Sequence, residues 1–244
     1  MLQASLLLSA LLLSQTPPPA DGEALIRAMH DRYAGKWYQT ASFVQKTTFP
    51  QTGKVETWYE AMTVPGRLRI DIAPIDSGNA IVFRNDSVYR FRQGRLTTSR
   101  PFVHPLMVLG FDVYGIPVEE TVKKLSDLGF DLAKLHENTW QGRAAYIVGA
   151  EPSDLKSLQF WVDKERLYFV RLIEPAPQSP SAIAETQFNN YQKLRKGWMA
   201  VEVVFTVDGK PSQIEEYSDV RGDVALGRDL FEVDQYRRPA WVGK

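Results

Sequence analysis

The sequence predicts a mainly β (α+β) protein, an incomplete antiparallel β-barrel of roughly eleven strands with an N-terminal helix and a helical lid. Three observations lead to this fold class. Residues alternate between apolar and polar over many short segments, as in 67–72, which reads R-L-R-I-D-I. Gly, Pro, Asn and Asp separate these segments at short intervals. Helical periodicity occurs in only two places, before the first strand and midway along the chain.

The first helix is predicted within residues 21–38. Apolar side chains recur there at intervals of three and four, which places them on one stripe of a helix, and Asp21 is a suitable N-cap. The stripe consists of Ile26, Met29, Tyr33 and Trp37.

The strands are predicted in two groups. The first group has the short spacing of an antiparallel meander, and Asp208-Gly209 closes a hairpin in the second because both turn positions need positive φ. Residues 175–180 are predicted to form a loop. The predicted strands are 42–49, 54–63, 67–72, 80–84 and 88–92, followed by 132–137, 144–149, 158–162, 167–174, 184–191, 199–207 and 214–220.

The segment between the two groups, residues 101–128, is called the lid here. Its first part, 101–114, is almost entirely apolar but too short to span a membrane. Its second part has Pro117 at a helix start, two glutamates in the first turn and Gly129 just after the end, which predicts a short amphipathic helix.

Composition excludes several classes of protein. The chain has no Cys, so it has no disulfide and no thiol-based catalytic or metal site. Its 29 Lys and Arg residues balance 29 Asp and Glu residues, so no net charge favours nucleic acid. The apolar run 6–13 and the prolines after it predict a signal peptide and short linker at 1–20, with a single domain over 21–244. We therefore expect an exported protein.

No arrangement of residues indicates catalysis. The nucleophile-elbow, phosphate-loop and dinucleotide-binding motifs are absent from the sequence. The three histidines, His30, His104 and His136, fall in three different predicted elements. Ser153 and Lys156 match an S-x-x-K pattern, but Pro152 places them in a turn. We predict that the protein is not an enzyme and holds no metal or cofactor.

The apolar face of a large curled sheet must be covered, and here the helices are the only available cover. If the lid covers it incompletely, an apolar ligand can occupy the interior; a fully packed core is the alternative. Alternation places Leu68, Ile70 and Ile72 together on the apolar face of their strand.

Four short motifs, in order, resemble those of the periplasmic outer-membrane lipoprotein carriers, the LolA-like proteins. Residues 42–47, S-F-V-Q-K-T, resemble the S-F-x-Q opening strand of that family. Residues 81–86, I-V-F-R-N-D, resemble a strand and its turn. Residues 101–107, P-F-V-H-P-L-M, resemble the start of the lid helix, and 230–233, L-F-E-V, resemble a closing motif.

This resemblance implies a LolA/LolB-like half-barrel that carries acyl chains of a lipoprotein or lipid through the periplasm. By position, it implies that Leu68 and Ile70 face inward and that Met107 and Leu109 belong to the lid. The residues predicted to line the cavity are Phe43, Leu68, Ile70, Ile72, Phe83, Met107 and Leu109. It implies a monomer, with a membrane export complex and an outer-membrane acceptor as partners. An envelope sensor or interaction module with the same fold is the alternative. The family pattern has an arginine before the turn proline, where it bonds to lid carbonyls; here that position is Val64. The lid latch is therefore predicted to be missing or rebuilt.

Overall fold

The computed structural model describes residues 17–176 and 179–242, and its main feature is one 13-stranded antiparallel sheet. The strand order is β6-β5-β4-β3-β2-β1-β13-β12-β11-β10-β9-β8-β7. The strands are β1 Thr40–Phe49, β2 Lys54–Thr63, β3 Arg67–Ile72, β4 Ala80–Arg84, β5 Ser87–Arg92, β6 Arg95–Pro101, β7 Leu135–Trp140, β8 Arg143–Val148, β9 Gln159–Asp163, β10 Phe169–Ala176, β11 Ser179–Leu194, β12 Gly197–Val207 and β13 Lys210–Gly222.

The predicted fold class is confirmed, although the sheet has 13 strands rather than roughly eleven, and two segments differ from the prediction. The strand Arg95–Pro101 was not predicted because it lies at a sheet edge, is mostly exposed and so lacks an apolar alternation. The predicted loop at 175–180 was wrong in extent, since β10 continues to Ala176 and pairs there with Ser179. The sheet is open, because no strand of the described residues pairs with the outer edge of β6 or of β7.

The part of the chain that the structure describes has three α-helices, and they pack on the concave side of the sheet. They are α1 Gly22–Tyr33, α2 Pro105–Gly110 and α3 Val118–Asp127. The predicted N-cap is present, since Asp21 Oδ1 accepts a hydrogen bond from Ala24 N at 2.8 Å. The first helix ends at Tyr33, earlier than predicted, and Trp37 follows it in a loop, where its ring stacks on Tyr114.

The core lies between these helices and the inner face of the sheet. Leu25, Ile26 and Met29 of α1 are fully buried, and they belong to the same apolar cluster as Leu109 and Leu125 of the lid. The helices are individually short, so this burial rather than helix propensity stabilises them.

The outer face of β3 is covered as well, which the sequence did not predict. Arg69 and Asp71 are polar members of the alternating segment 67–72, a pattern typical of a strand with one solvent-facing side, but they are only 2% and 1% exposed. Their ion pair, 2.8 Å between Nε and Oδ2, lies under residues 230–237 of the C-terminal segment. Arg69 Nη1 donates to the carbonyl of Leu230, also at 2.8 Å. A distant part of the chain thus buries a face that its local pattern marks as polar.

The predicted signal peptide falls largely on residues 1–16, which lie outside the described residues. Within 17–176 and 179–242, no helix is both long enough and apolar enough to cross a membrane.

Candidate functional site: a cavity beneath the lid

A cavity of about 210 Å³ lies between the inner face of the sheet and the lid. Apolar and aromatic side chains make up most of its wall. They come from β1 to β4 on one side, from β11 to β13 on the other, and from the lid above. The wall consists of Phe43, Gln45, Trp58, Glu60, Met62, Leu68, Ile70, Ile81, Phe83, His104, Leu106, Met107, Phe111, Phe188, Val203, Phe205, Gln213, Glu215 and Tyr217.

The alternation of β3 produces one side of this wall. Side chains two residues apart share a face of a strand, so Leu68 and Ile70 point inward while Arg69 points outward. Both apolar residues are nearly buried, at 9% and 8% exposure. Leu68 pairs across the sheet with Phe83 of β4, which extends the apolar surface.

The lid closes the cavity with one turn of helix. Met107 of α2 contributes to the wall, and Phe111 follows at the end of the helix. Gly110 allows close approach to the opposite side of the sheet, because a Cβ there would lie 3.1 Å from the ring of Phe188. The lid and β11 therefore meet with little room between them.

His104 is the residue that precedes α2, and its ring is enclosed by aromatic groups. The ring centroids of Phe83 and Phe102 lie 5.0 and 5.4 Å away, both edge to face. Its Nδ1 is buried and has no hydrogen-bond partner among the described residues. Burial lowers the pKa of His104 to about 4, so the ring is neutral at pH 7.

Five of the seven predicted lining residues lie in the cavity wall: Phe43, Leu68, Ile70, Phe83 and Met107. Ile72 lies further along β3, where it lines a separate hollow with Lys54 and Glu56. Leu109 does not face the cavity but is fully buried in the main core. It differs from Met107 because residues two apart on a helix point in different directions. The ligand-binding role of these residues stays a prediction.

The cavity wall also contains two acidic side chains that were not predicted from the sequence. Glu60 of β2 and Glu215 of β13 are 4% and 8% exposed, and both line the cavity. Glu215 accepts hydrogen bonds from Tyr217 Oη at 2.8 Å and from Gln213 Nε2 at 2.6 Å. The signal was present in the sequence: Glu60 occupies the same strand face as Trp58 and Met62.

Both carboxyl groups resist ionisation. Burial raises the pKa of Glu60 well above its usual range, and the nearby charge of Glu215 raises it further. Burial also raises the pKa of Glu215, although the hydrogen bonds from Tyr217 and Gln213 oppose the effect. The cavity therefore favours the neutral form of both carboxyl groups.

The lid is joined to the turn between β2 and β3 by a hydrogen bond from a backbone N–H group to a side-chain carboxylate. Asp112 Oδ1 accepts from Gly66 N at 2.8 Å. Val64, where the family pattern has arginine, donates no side-chain bond and packs against the main core. Here the lid provides a side-chain acceptor, Asp112, and the turn provides a backbone donor, Gly66. The resemblance implied the opposite arrangement, in which a side chain beside the turn donates to backbone carbonyl groups of the lid.

A second hollow, of about 170 Å³, lies on the other half of the sheet near Trp140 and Tyr168. Its charged groups are already paired: Arg143 Nε lies 2.6 Å from Asp163 Oδ2. The described ranges contain no group of three or more His, Asp or Glu residues placed to hold a metal ion. The cavity beneath the lid is therefore the stronger candidate site.

No protein-family model matches this chain, and no curated protein matches it in sequence. Solved structures do match it in fold. A DUF1329 family protein from Desulfovibrio piger is 16% identical, with a TM-score of 0.56 over 86% of this chain and 95% of that one. A putative outer membrane lipoprotein-sorting protein domain from Vibrio parahaemolyticus is 15% identical, with a TM-score of 0.56 over 86% and 96%.

A LolA superfamily protein from Nitrosomonas europaea is 10% identical, with a TM-score of 0.51 over 86% of this chain and 98% of that one. The similarity spans nearly the full length of all three structures. Because the identities are low, it establishes the fold alone: a LolA-like open antiparallel sheet with helices on its concave side. The predicted resemblance is confirmed at that level.

Proposed function

We propose that this protein is a periplasmic carrier that binds an apolar ligand, the acyl chains of a lipoprotein or lipid, between the sheet and the lid and delivers it between membranes. The observation that carries the proposal is the cavity beneath the lid. Its wall brings Leu68, Ile70 and Met107 together around unfilled space inside a fold shared with a lipoprotein-sorting protein domain.

The size of the cavity restricts how the ligand enters. About 210 Å³ is smaller than the roughly 300–1,000 Å³ of pockets that hold drug-sized ligands. A long acyl chain therefore fits only if the lid moves outward. Short connections tie α2 to β6, so such a movement is a displacement of α2 and the turn that follows it rather than of the sheet.

The predicted export of the protein supports a role between membranes. The predicted signal peptide at 1–20 and the single domain at 21–244 give a mature protein without cysteine that relies on its core for stability. A carrier acting as a monomer would receive its cargo from a membrane export complex and release it to an outer-membrane acceptor. No catalytic step is part of this role.

Mass spectrometry of the gently purified protein tests the proposal, and we expect co-purifying lipid or lipopeptide. A displacement assay with the neutral fluorescent probe N-phenyl-1-naphthylamine provides a second measurement, with Met107→Asp as the cavity variant. If neither lipid nor probe binds, and crosslinking instead finds a stable protein partner, the carrier proposal is wrong and the envelope sensor takes its place.

A further inference from the structure

The hollow that Ile72 lines, of about 330 Å³, adjoins the cavity beneath the lid. Ile81 of β4 contributes to the walls of both spaces, so it forms the boundary between them. On the far side of Ile81 the hollow reaches Arg90 and Arg92 of β5, and it is called the arginine hollow here. A ligand chain beneath the lid can therefore extend over Ile81 and end beside these two arginines.

The register of the sheet directs both arginines to the cavity side. Arg90 lies directly opposite Ile81 in the pair of β4 and β5, and opposed residues share a face of the sheet. Arg92 is two residues further along the same strand, so it points the same way. Phe91 lies between them and faces the other way, where it packs against Tyr236 of the C-terminal segment.

A third arginine adds to the positive charge at this place. A two-residue turn, in which Gln93 and Gly94 both have positive φ, joins β5 to β6 and sets Arg95 directly opposite Arg92. Like charges that lie directly opposite each other on a sheet are destabilising. A bound anion would relieve this repulsion.

These arginines have no counter-ion within the described residues. None of the ion pairs found there involves Arg90, Arg92 or Arg95. The one carboxylate in the wall of the arginine hollow, that of Glu56, is already paired, with 2.6 Å between its Oε1 and Lys54 Nζ. Protection of a sheet edge does not explain Arg90 and Arg92, because β6 rather than β5 forms the edge.

We propose that the arginine hollow is a headgroup site, in which Arg90 and Arg92 bind the phosphate head of an amphiphile whose alkyl chain runs over Ile81 into the cavity beneath the lid. Guanidinium groups keep their charge and donate paired N–H bonds to phosphate oxygens. Residues two apart on a strand are separated by about 7 Å, which two arginine side chains can close around one phosphate group. This inference rests on the proposed carrier function and specifies its ligand class.

Displacement of N-phenyl-1-naphthylamine from the full chain at pH 7 tests the proposal. The competitors share one alkyl chain and differ in the head: dodecyl phosphate, dodecanol and dodecyltrimethylammonium. We expect dodecyl phosphate to bind at least about fivefold more tightly than dodecanol, which is what one favourable exposed charge pair provides, and the cation to bind most weakly. Raising the NaCl concentration from about 0.05 M to about 0.5 M should remove most of this difference, because salt screens exposed charges.

Arg90→Gln and Arg92→Gln each remove one guanidinium group. Both positions are exposed, so the variants should fold normally, which circular dichroism can check. Each should lower the affinity for dodecyl phosphate at least about threefold, and the double variant should bind it no more tightly than dodecanol. The affinity for dodecanol should not change. Arg67→Gln, at an exposed position on the outer face of β3, is the matched control and should alter neither affinity.

Two further measurements identify the source of the phosphate. Inorganic phosphate at the concentration of dodecyl phosphate should not compete with it, because free phosphate gains nothing from the apolar cavity. Flotation with phosphatidylglycerol vesicles examines a membrane surface as the partner instead. Loss of vesicle binding in the double variant, with unchanged binding of dodecyl phosphate, would overturn the headgroup site in favour of membrane docking.

The remaining outcomes separate this inference from the carrier function. Equal affinity for dodecyl phosphate and dodecanol in the native protein, or full competition by inorganic phosphate, would overturn the headgroup site while leaving an apolar carrier. The same holds if the double variant binds dodecyl phosphate as tightly as the native protein does. Absence of binding by the probe and all three amphiphiles would overturn both proposals.

Discussion

Asp112 of the lid accepts a hydrogen bond from the backbone N–H of Gly66, with 2.8 Å between Oδ1 and N. The bond joins the turn after α2 to the turn between β2 and β3, near the cavity beneath the lid. Asp112 is only 6% exposed, and burial raises its pKa from 3.8 to about 6, although the bond from Gly66 and the charge of Lys124 oppose this. Its charged form is therefore disfavoured while the lid is closed.

The first prediction is that the lid opens more readily as pH rises through 6. When the lid is open and Asp112 is exposed, its carboxyl group ionises near 3.8, whereas in the closed lid it ionises near 6. Protonated Asp112 therefore stabilises the closed lid fully below pH 3.8, and this stabilisation is lost as the pH rises to about 6. A shift of about two units corresponds to about 3 kcal/mol at most. We expect uptake of N-phenyl-1-naphthylamine to be at least about fivefold faster at pH 8 than at pH 5, measured by stopped-flow fluorescence.

Asp112→Asn is the matched variant for this prediction. Its amide oxygen can still accept the bond from Gly66 but cannot ionise, so its uptake should depend much less on pH. The charges of Asp86 and Glu120 also raise the pKa of Asp112, and both residues are present in the native protein and in the variant. The same pH dependence in the variant would show that other groups, such as Glu60, control the lid.

The second prediction separates two apolar residues of α2. Met107→Asp places a charge in the cavity wall, so it should abolish probe binding while the protein stays folded. Leu109→Asp places the charge in a fully buried core position and should unfold the protein, with a loss of several kcal/mol. Thermal melting monitored by circular dichroism distinguishes the two. If Met107→Asp melts as early as Leu109→Asp, Met107 is ordinary core.

The third prediction concerns Val64, which adjoins the same turn. An arginine there can approach Asp112 and add an ion pair between the turn and the lid. Val64→Arg should therefore slow probe release by at least about threefold at pH 8, where Asp112 is ionised, and less at pH 5. Equal release rates in Val64→Arg and the native protein at pH 8 would contradict this.

The sequence predicted those parts of the fold in which local pattern and tertiary environment agree. Leu68 and Ile70 point inward because strand alternation alone fixes their face once one side of the sheet is buried. The edge strand Arg95–Pro101 escaped prediction because both of its faces are largely exposed. No periodicity marks a strand that is stabilised mainly by backbone bonds to its neighbour.

The candidate site was predicted in its apolar half only. Glu60 breaks the apolar pattern of its strand face, so pattern reasoning passes over it, although its burial makes it the most unusual residue in the cavity. Leu109 was predicted to line the cavity but lies in the core, because an apolar lid residue can face either of them. Which of the two it serves depends on the orientation of a six-residue helix, and composition does not determine that.

The covered outer face of β3 leads to the last prediction. Arg69 and Asp71 form a buried ion pair, and Arg69 also donates to carbonyl groups of Leu230 and Arg237. Removing one partner of such a pair leaves an uncompensated buried charge, which typically costs about 3–5 kcal/mol. We expect Arg69→Ala to lower the free energy of unfolding by that amount in urea denaturation.

Arg67→Ala is the control, since Arg67 lies on the same face of the same strand but is exposed, and it should change stability by less than about 0.5 kcal/mol. The C-terminal segment should loosen in Arg69→Ala, because two of its carbonyl groups lose their donor, and hydrogen exchange across residues 226–242 should rise. Neither substitution touches the Asp112–Gly66 contact, so probe release from the folded fraction should stay within about twofold of the native rate. A large release defect in Arg69→Ala would instead show that the outer face of β3 controls the lid through the strand itself.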